Sequence, residues 1–250
     1  MSEIRAGDWR SPHPSKAEVE RGQAQRNEPP RELPGIDLNV AEQLRLAWSL
    51  PDFEPGPRYH PDADYFARCD AYALHGILNA LRPRSVVEVG SGYSSAVMLD
   101  VGVPVLCIDP EPERLLSLMQ PGDVPQILNQ PVQDVPLEVF ESLGRSDVLF
   151  VDSSHIAKMG SDVNHIFFEI LPRLHSGVWV HFHDIFWPFE YPREWIEYGW
   201  LRNEAYVLRA LLTHTNEWSI RLFSSYLSVF HSQEIPADLI HGGSIWLERR

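Results

Sequence analysis

From residue 85 onward, short apolar runs alternate with segments in which apolar residues recur every three or four positions. Short apolar runs that are rich in Val and Ile are typical of buried strands, whereas apolar residues that recur every three or four positions are typical of amphipathic helices. The runs that predict strands are 85–89, 105–109, 126–129, 147–152, 178–182, 219–223 and 244–248. This regular alternation predicts an α/β fold, in which helices cover both faces of a doubly wound, mostly parallel sheet.

The N-terminal part of the chain lacks this alternation. Residues 1–35 are rich in Pro, Arg, Glu and Gln. A segment of this composition buries too little apolar area to order itself, so we expect a flexible arm, or one that becomes ordered only against a partner subunit. Helical spacing returns within 36–82, where we expect Asp62 to cap a helix. We therefore expect a single domain over 36–250 that includes these N-terminal helices.

The segment 185–202 also departs from the alternation, because it is dense in aromatic residues and proline. It is too apolar for a solvent-exposed loop and too interrupted by proline for one helix. Two interpretations stay open: the aromatic residues form the wall of a substrate cleft, or they pack as a small subdomain. We favour the wall, because an aromatic surface beside a reactive site excludes water.

The charge balance narrows the range of partners. The formal net charge is −14 at pH 7, with 44% hydrophobic and 22% charged residues. An acidic chain disfavours nucleic acid and anionic membranes, so we expect a small-molecule partner. We find no apolar run of about 18 residues that predicts a membrane span and no apolar start that predicts a signal peptide. We therefore expect a cytoplasmic protein, and homo-oligomer formation stays open.

The first predicted strand leads into a glycine turn and the start of a helix. The sequence from Ser85 to Ser95 reads S-V-V-E-V-G-S-G-Y-S-S. Gly90 and Gly92 allow a tight turn and a close approach of a ligand to the main chain. The free N–H groups of the following helix point toward the same space. Asp109 ends the next strand, 19 positions after Gly90, and this spacing sets a carboxylate against ribose hydroxyls. The pattern predicts a nucleoside-binding site.

Two side chains near this turn indicate which nucleoside binds. A dinucleotide fingerprint has glycine or alanine at its sixth position, where this chain has Ser95. Glu88 lies two residues before the first glycine. A carboxylate there repels a diphosphate and attracts a cationic, amino-acid-like group. A nicotinamide or flavin dinucleotide is therefore disfavoured.

The turn resembles the cofactor-binding motif of class I S-adenosylmethionine (SAM)-dependent methyltransferases in the run E-V-G-S-G-Y-S. The resemblance implies SAM as the cofactor, and a Rossmann-like sheet of about seven strands that closes with an antiparallel strand. It also implies that Asp134 lies near the adenine. The cofactor-binding residues that it implies are Glu88, Gly90, Ser91, Gly92, Tyr93, Ser94, Asp109, Pro110, Asp134 and Asp152.

Acidic residues also end the fourth strand and follow the fifth, as Asp152 and Asp184. Neighbouring strand ends of a doubly wound sheet bring such residues together. Two carboxylates suit Mg²⁺, which would orient a substrate hydroxyl and lower its pKa. The run from Asp152 to His155 is similar to a stretch of cation-dependent O-methyltransferases, in which an acid binds metal and a lysine base follows three residues later. Here His155 stands in place of that lysine, and Ile185 follows Asp184 where those enzymes have Asn.

A longer resemblance, to bacterial class I methyltransferases of sugar and natural-product pathways, covers about Tyr65 to Leu247. It rests on the runs V-D-S-S-H-I-A-K-M-G-S-D-V-N and H-F-H-D-I-F-W-P-F-E-Y-P. It implies a polar cluster that faces the substrate, with His155 or His183 as the base. The members of this cluster are Asp152, His155, Lys158, His183 and Asp184.

These resemblances imply O-methylation of a small-molecule hydroxyl, on a sugar or a secondary metabolite. Two alternatives stay open. The same fold could methylate an amine or a carboxylate, which would need neither a metal nor a strong base. The chain could also be a non-catalytic SAM-binding module that serves a larger assembly.

Overall fold

The computed structural model describes residues 6–8, 11–60 and 65–250, and the predicted cap Asp62 lies outside them. Seven strands are formed within these ranges. They are β1 (Val86–Val89), β2 (Val105–Ile108), β3 (Gln126–Leu128), β4 (Val148–Val151), β5 (Trp179–Phe182), β6 (Trp218–Phe223) and β7 (Ile245–Arg249). Each lies within one or two residues of a strand that the apolar runs predict.

Helices pack around these strands. They are α1 (Lys16–Asn27), α2 (Val40–Ser49), α3 (Arg68–Leu81), α4 (Tyr93–Val101), α5 (Glu113–Ser117), α6 (Glu138–Glu141), α7 (Asp162–His165), α8 (Arg193–Glu197), α9 (Glu204–His214) and α10 (Ser224–Phe230). In the part of the chain that the structure describes, none of the helices has both the length and the apolar character needed to cross a membrane.

The strands form one sheet in the order β3-β2-β1-β4-β5-β7-β6. β1 runs parallel to β2 and β4, so that Val89 pairs with Ile108 on one side and Val151 on the other. β5 continues the parallel set, whereas β7 runs antiparallel to both β5 and β6. The prediction of a mostly parallel α/β sheet with an antiparallel last strand is confirmed.

The core lies on both faces of the central strands. β1, β4 and β5 are buried along their whole length, which is why they read as continuous apolar runs rather than as alternating ones. α3 covers one part of the sheet with residues at helical spacing, among them Ala73 and Ile77, which are fully buried. These rigid central strands fix the positions of the residues that follow them.

Apolar residues recur at helical spacing over 162–174 and predict one helix, but the structure interrupts it. α7 passes into a π-helical turn at Ile166–Ile170 and then into a 3₁₀ turn at Leu171–Arg173. Pro172 lies in that last turn and has no N–H to continue an α-helical ladder, which accounts for the change of pitch. The apolar face is still buried, through Val163, Ile166 and Ile170.

Helix α1 lies within residues 1–35, where the composition predicts a flexible arm, and the flexibility of this arm stays a prediction. The N–H of Glu18 donates to Ser15 Oγ at 3.3 Å, and the N–H of Ser15 donates to the Glu18 carboxylate at 2.7 Å. No side chain of α1 is buried, but Arg26 donates to the carbonyl of Glu190 at 2.7 Å. Capping and polar contacts therefore order a segment that has no apolar face. The division of the chain at residue 36 stays a prediction.

The aromatic segment 185–202 divides into two parts. Its first part is core: Trp187 and Phe189 are buried, with ring centres 5.9 Å and 5.4 Å from that of Phe223 in β6. Its second part is exposed, and the exposed fractions of Tyr198 and Trp200 are 72% and 44%. The first half is thus packed core, and the role of the exposed second half as the wall of a substrate cleft stays a prediction.

Candidate active site

A cleft of about 600 Å³ opens at the carboxyl ends of β1, β2 and β4. Gly90, Asp109 and Asp152 directly follow these strands and line the cleft, as the parallel register requires. Ser91 and Pro110 line it as well. The structure thus brings five of the predicted cofactor-binding residues together at one place.

Gly90 makes the closest approach between two of these strand ends. A Cβ at this position would lie 1.9 Å from the carbonyl oxygen of Asp152. The φ angle of Gly90 is 91°, a value that residues with a side chain rarely adopt. Its N–H donates to the carbonyl of Ile108 at 3.0 Å. Glycine is therefore required here on two independent grounds.

Asp109 is held by hydrogen bonds to both of its carboxylate oxygens. Ser91 Oγ donates to Oδ2 at 2.6 Å, and the N–H of Glu111 donates to Oδ1 at 2.8 Å. The side chain is half-buried in the cleft wall, so its remaining lone pairs can accept from a pair of hydroxyls. The role of Asp109 in binding a ribose stays a prediction.

Glu88 lies behind the glycine turn and is fully buried. The hydroxyls of Ser94 and Ser95 donate to its carboxylate, and the Cys107 thiol approaches it at 3.3 Å. Burial raises the pKa of Glu88 to about 7, against the opposing effect of these hydrogen bonds. Glu88 ties β1 to β2 and to the start of α4, so any contact with a molecule in the cleft is indirect.

This buried carboxyl gives the fold an expected pH dependence. The pKa of Glu88 is about 7 in the folded chain against an ordinary 4.5, so the folded state binds the additional proton. The resulting stabilisation is complete below pH 4.5 and is lost as the pH rises through 7. Glu88→Gln stays neutral, and we expect it to raise the free energy of unfolding at pH 8.5 by up to about 3 kcal/mol.

The measurement is urea unfolding of both proteins at pH 5, 7 and 8.5. We expect the advantage of the Gln variant to be smallest at pH 5, to grow up to about pH 7 and to level off at pH 8.5, where Glu88 is ionised in both the folded and the unfolded state. Parallel pH profiles would show that Glu88 does not titrate in this range.

Gly92, Tyr93 and Ser94 lie at the start of α4 and do not line the cleft. The side chain of Arg114 covers Gly92: the Cδ of Arg114 lies 2.8 Å from where a Cβ of Gly92 would be. Arg114 itself lines the cleft, and its guanidinium carbon lies 4.3 Å from the ring centre of Tyr65. This cation on the cleft wall was not found from the sequence, because Arg114 lies in a short helix with no motif around it.

Asp134, predicted near the adenine, is exposed and does not line the cleft. Its predecessors Pro131, Val132 and Gln133 do. Gln133 Nε2 donates to the carbonyl of Gly160 at 2.8 Å, which joins the two loops that flank this part of the cleft. The structure therefore puts the neighbours of Asp134, and not its carboxylate, on the wall.

Three of the five residues of the predicted cluster come together beside the cleft: Asp152, His155 and Asp184. From here on, these three residues and the side chains that contact them are called the polar cluster. Nε2 of His155 lies 3.3 Å from Oδ1 of Asp152 and 3.6 Å from Oδ2 of Asp184. The two carboxylates come together at the ends of β4 and β5, where the sequence places them, and they meet around one imidazole. Of these three residues, Asp152 is the one that also lines the cleft.

Two residues that the sequence did not single out complete the cluster. Glu204 is fully buried, and its Oε2 lies 2.9 Å from Nδ1 of His155. Arg202 forms an ion pair with Asp184. An acid at the first residue of a helix is ordinarily explained by the helix dipole, so the sequence around Glu204 carries no signal for a histidine partner.

His155 is held between carboxylates at both ring nitrogens. Burial opposes its charge, but hydrogen bonds with Asp152 and Glu204 raise its pKa to about 10. Burial also opposes the charge of Asp152, but the imidazoles of His183 and His155 hold its pKa below the ordinary value. The cluster at neutral pH is therefore an imidazolium among carboxylates. A protonated His155 cannot take up a substrate proton, which differs from its predicted role as the base.

The other predicted catalytic residues stand apart from the cleft. His183 is buried, with Nε2 3.7 Å from Oδ1 of Asp184, and it does not line the cleft. Its neighbour His181, which was not predicted to be catalytic, is buried within the sheet and stacks on Phe150 at 3.9 Å between ring centres. Lys158 is exposed and is not part of the polar cluster. The structure keeps His183 near the cluster and leaves Lys158 out of it.

The polar cluster also allows a test of the predicted metal. Asp152, His155 and Asp184 place one ligand atom each within 4.8 Å of one another. Mg²⁺ takes oxygen ligands at about 2.1 Å in octahedral geometry. Here Nε2 of His155, a nitrogen atom, faces both carboxylates, and Arg202 already forms an ion pair with Asp184. In this arrangement the three groups do not fit a resident Mg²⁺.

Comparisons with known proteins agree with this geometry. Residues 87–185 match the family model of a methyltransferase domain. This range contains the glycine turn, Asp109 and the whole polar cluster except Arg202 and Glu204. An uncharacterized protein of Archaeoglobus fulgidus is 32% identical over 160 residues, which are 55% of this chain and 72% of that protein.

Two solved structures are among those that resemble the chain. An S-adenosylhomocysteine (SAH)-bound methyltransferase of Podospora anserina is 15% identical, with a TM-score of 0.49 over 94% of this chain and 97% of that one. An SAH-bound O-methyltransferase of Bacillus cereus is 14% identical, with a TM-score of 0.47 over 93% and 100%. The family-model match lies on the part of the sheet that builds the cleft. Residues 87–185 of this chain form a methyltransferase domain.

Proposed function

We propose that this protein transfers a methyl group from SAM to a hydroxyl of a small-molecule acceptor. One observation carries the proposal: Asp152 belongs both to the wall of the cleft and to the polar cluster. A carboxylate at this junction can contact an acceptor and lie beside the cofactor at the same time. The other residues of the cleft support the contact with the cofactor, and the other residues of the cluster support the contact with the acceptor.

The cleft fits SAM through its shape and its acceptor groups. Because Gly90 has no side chain, its main chain borders a space that a side chain would otherwise fill. Asp109 would accept from the ribose hydroxyls, and Val132 and Gln133 would flank the adenine. When bound, the sulfonium of this cofactor supplies an electrophilic methyl group. The protein's part is to hold the acceptor oxygen in line with it.

Asp152 is the proposed base. Its low pKa keeps it ionised. A hydroxyl that donates its hydrogen to Asp152 keeps an oxygen lone pair that can point toward the methyl group. The hydroxyl becomes strongly acidic as its oxygen forms a third bond, to the methyl carbon, while the carbon–sulfur bond breaks, so a carboxylate suffices to take its proton. His155 acts through Asp152: its cationic ring orients the carboxylate, while Glu204 fixes the ring from the other side. We therefore propose His155 as a positioning residue.

The charges of the cluster discriminate among acceptors. Asp152 faces the cleft as an anion, and an anionic carboxylate acceptor would be repelled by it. A hydroxyl or a neutral amine can donate to it. The geometry thus favours O-methylation, or N-methylation as the second candidate, over carboxyl methylation.

The test is turnover with SAM and a panel of hydroxylated, amino and carboxylated acceptors, read as SAH formation. We expect turnover with a hydroxylated acceptor, and we expect chelation of divalent ions to change its rate by less than about twofold, because Arg202 and His155 already balance the carboxylates. Loss of turnover on chelation, with recovery on adding Mg²⁺, would instead support the metal predicted from the sequence. SAH binding without turnover of any acceptor would indicate a non-catalytic binding module.

A further inference from the structure

The start of helix α9 is joined to the loop that follows β4 by main-chain hydrogen bonds. The N–H groups of Asn203 and Glu204 donate to the carbonyl of His155, at 3.0 Å and 3.2 Å. The carboxylate of Glu204 also meets Nδ1 of His155, at 2.9 Å. Glu204 therefore contacts His155 twice, once through its main chain and once through its side chain.

The side chain of Asn203 adds a second tie between the same two segments. Asn203 directly precedes α9, where an Asn side chain ordinarily accepts from an N–H of its own helix, but it makes no such bond. Instead, its Oδ1 accepts from the N–H of Ala157 at 2.5 Å, and its Nδ2 donates to the carbonyl of Ala157 at 3.2 Å. The first N–H groups of α9 are thus left to other acceptors, one of which is the carbonyl of His155.

A tyrosine of the aromatic segment supplies a further acceptor. The hydroxyl of Tyr191 accepts from the N–H of Ala205 at 3.0 Å, and both residues are buried. Because a buried N–H without a partner is unfavourable, this bond fixes the helix start against segment 185–202. The packed part of that segment therefore bears on the position of Glu204, which directly precedes Ala205.

His155 and Glu204 both depend on this support. The φ angle of His155 is 59°, a left-handed conformation that residues with a side chain rarely adopt and that persists where the surroundings hold it. Glu204 is fully buried, and its Oε1 has no hydrogen-bond partner among the described residues. The contact with His155 is therefore the one that compensates the buried carboxylate, and a small shift of α9 would weaken it.

We propose that Asn203 is a positioning residue of the methyl-transfer site: it sets Glu204 against Nδ1 of His155, and through the His155 ring it fixes the direction of the Asp152 carboxylate. Tyr191 supports the same helix start through Ala205. The inference rests on the proposed function, in which Asp152 is the base. It adds the reason why the imidazole beside that base keeps one orientation.

The test follows the Nδ1 proton of His155 by NMR, in the full ¹⁵N-labelled chain with SAH present and with His155→Gln for the assignment. Its exchange with water is compared in wild type, Asn203→Ala and Tyr191→Phe. The second variant keeps the aromatic ring and loses only the hydroxyl. Neither substitution removes a charge, so the carboxylates around the His155 ring stay the same.

Asn164→Ala is the matched control. Asn164 Nδ2 donates to the carbonyl of Lys158 at 2.8 Å, so this variant also removes an Asn side-chain bond to the loop after β4, but it leaves α9 untouched. The amide of Phe150, in the buried strand β4, reports on global stability, because a general loss of stability speeds its exchange as well.

We expect the Nδ1 proton to exchange about tenfold faster in Asn203→Ala and in Tyr191→Phe, because bonds that hold the helix start are lost. We expect its exchange in Asn164→Ala, and that of the Phe150 amide in every variant, to stay within about twofold of wild type. Equal Nδ1 exchange in the two Asn variants would overturn the proposal. So would an unprotected Nδ1 proton in wild type, or acceleration of the Phe150 amide by the same factor.

Turnover and calorimetry with SAH separate this proposal from the proposed function. Asn203 does not line the cofactor cleft. We therefore expect Asn203→Ala to lower kcat about tenfold and to change the KM for SAM and the Kd of SAH by less than about twofold. Faster Nδ1 exchange with unchanged kcat would remove the positioning role and leave the methyltransferase assignment intact. A wild type that binds SAH but turns over no acceptor would remove the proposed function, and this role with it, even where Nδ1 exchange depends on Asn203.

Discussion

Asp152→Asn is expected to lower the rate of methyl transfer by about 10²- to 10⁴-fold, the usual contribution of a general base. Asn can still accept a hydrogen bond from His155, but it cannot take a proton from the acceptor. Because the substitution keeps the shape of a residue at the cleft wall, we expect the affinity for SAH to change by less than about tenfold. The measurement combines steady-state turnover with calorimetric titration of SAH.

Asp134→Asn is the matched control for this substitution. Asp134 is an exposed carboxylate beside the residues that line the cleft. Its substitution therefore removes one negative charge close to the cleft, as Asp152→Asn does, but leaves the cluster unchanged. We expect its turnover to stay within about twofold of wild type. Equal losses in the two variants would mean that the cleft responds to charge in general and not to a base at Asp152.

Gly90→Ala is expected to abolish detectable SAH binding and to destabilise the fold. A side chain at a φ of 91° costs about 1–3 kcal/mol, and a Cβ 1.9 Å from the carbonyl oxygen of Asp152 forces the ends of β1 and β4 apart. Both strand ends line the cleft, so the displacement deforms the site directly. Thermal unfolding and calorimetry with SAH measure the two effects.

Gly102→Ala separates the clash from the backbone conformation. Gly102 has a similar φ of 81°, but a Cβ there would meet nothing within 4 Å. We expect it to lose stability through its φ alone, about 1–3 kcal/mol, and to bind SAH as wild type does. If Gly90→Ala bound SAH as tightly as Gly102→Ala does, the close approach at Gly90 would not shape the cofactor site.

The strand ends are the part of the site that the sequence predicts well. β1, β2 and β4 are short, buried and parallel, so the residues that follow them share one edge of the sheet by geometry alone. Gly90, Asp109 and Asp152 lie together for this reason. A local apolar pattern therefore suffices to locate them, without any knowledge of loops.

The partners of these residues could not be predicted in the same way. Glu204 meets His155 from 49 positions away, and it is brought there by the course of the segment 185–202, which has no periodic pattern. The same contact changes the chemistry, because a histidine with carboxylates on both sides keeps its proton. The sequence locates His155 in the site but not the protonation state that decides its role.

Helix α1 and the aromatic segment show a related difference. Neither has an apolar face that the sequence alone identifies as packed. Arg26 of α1 donates a hydrogen bond to the carbonyl of Glu190. Pro14, just before α1, lines a small cavity together with Tyr206. Contacts between this helix and the irregular aromatic segment stabilise both, and such contacts leave no trace in the local pattern of either.

A crystal structure of the protein with SAH tests the central claim most directly. We expect SAH in the cleft, with its ribose hydroxyls within hydrogen-bond distance of Asp109 and its sulfur on the side of Asp152. SAH bound elsewhere, or a cleft that stays empty at saturating SAH, would contradict the assignment of this cleft as the methyl-donor site.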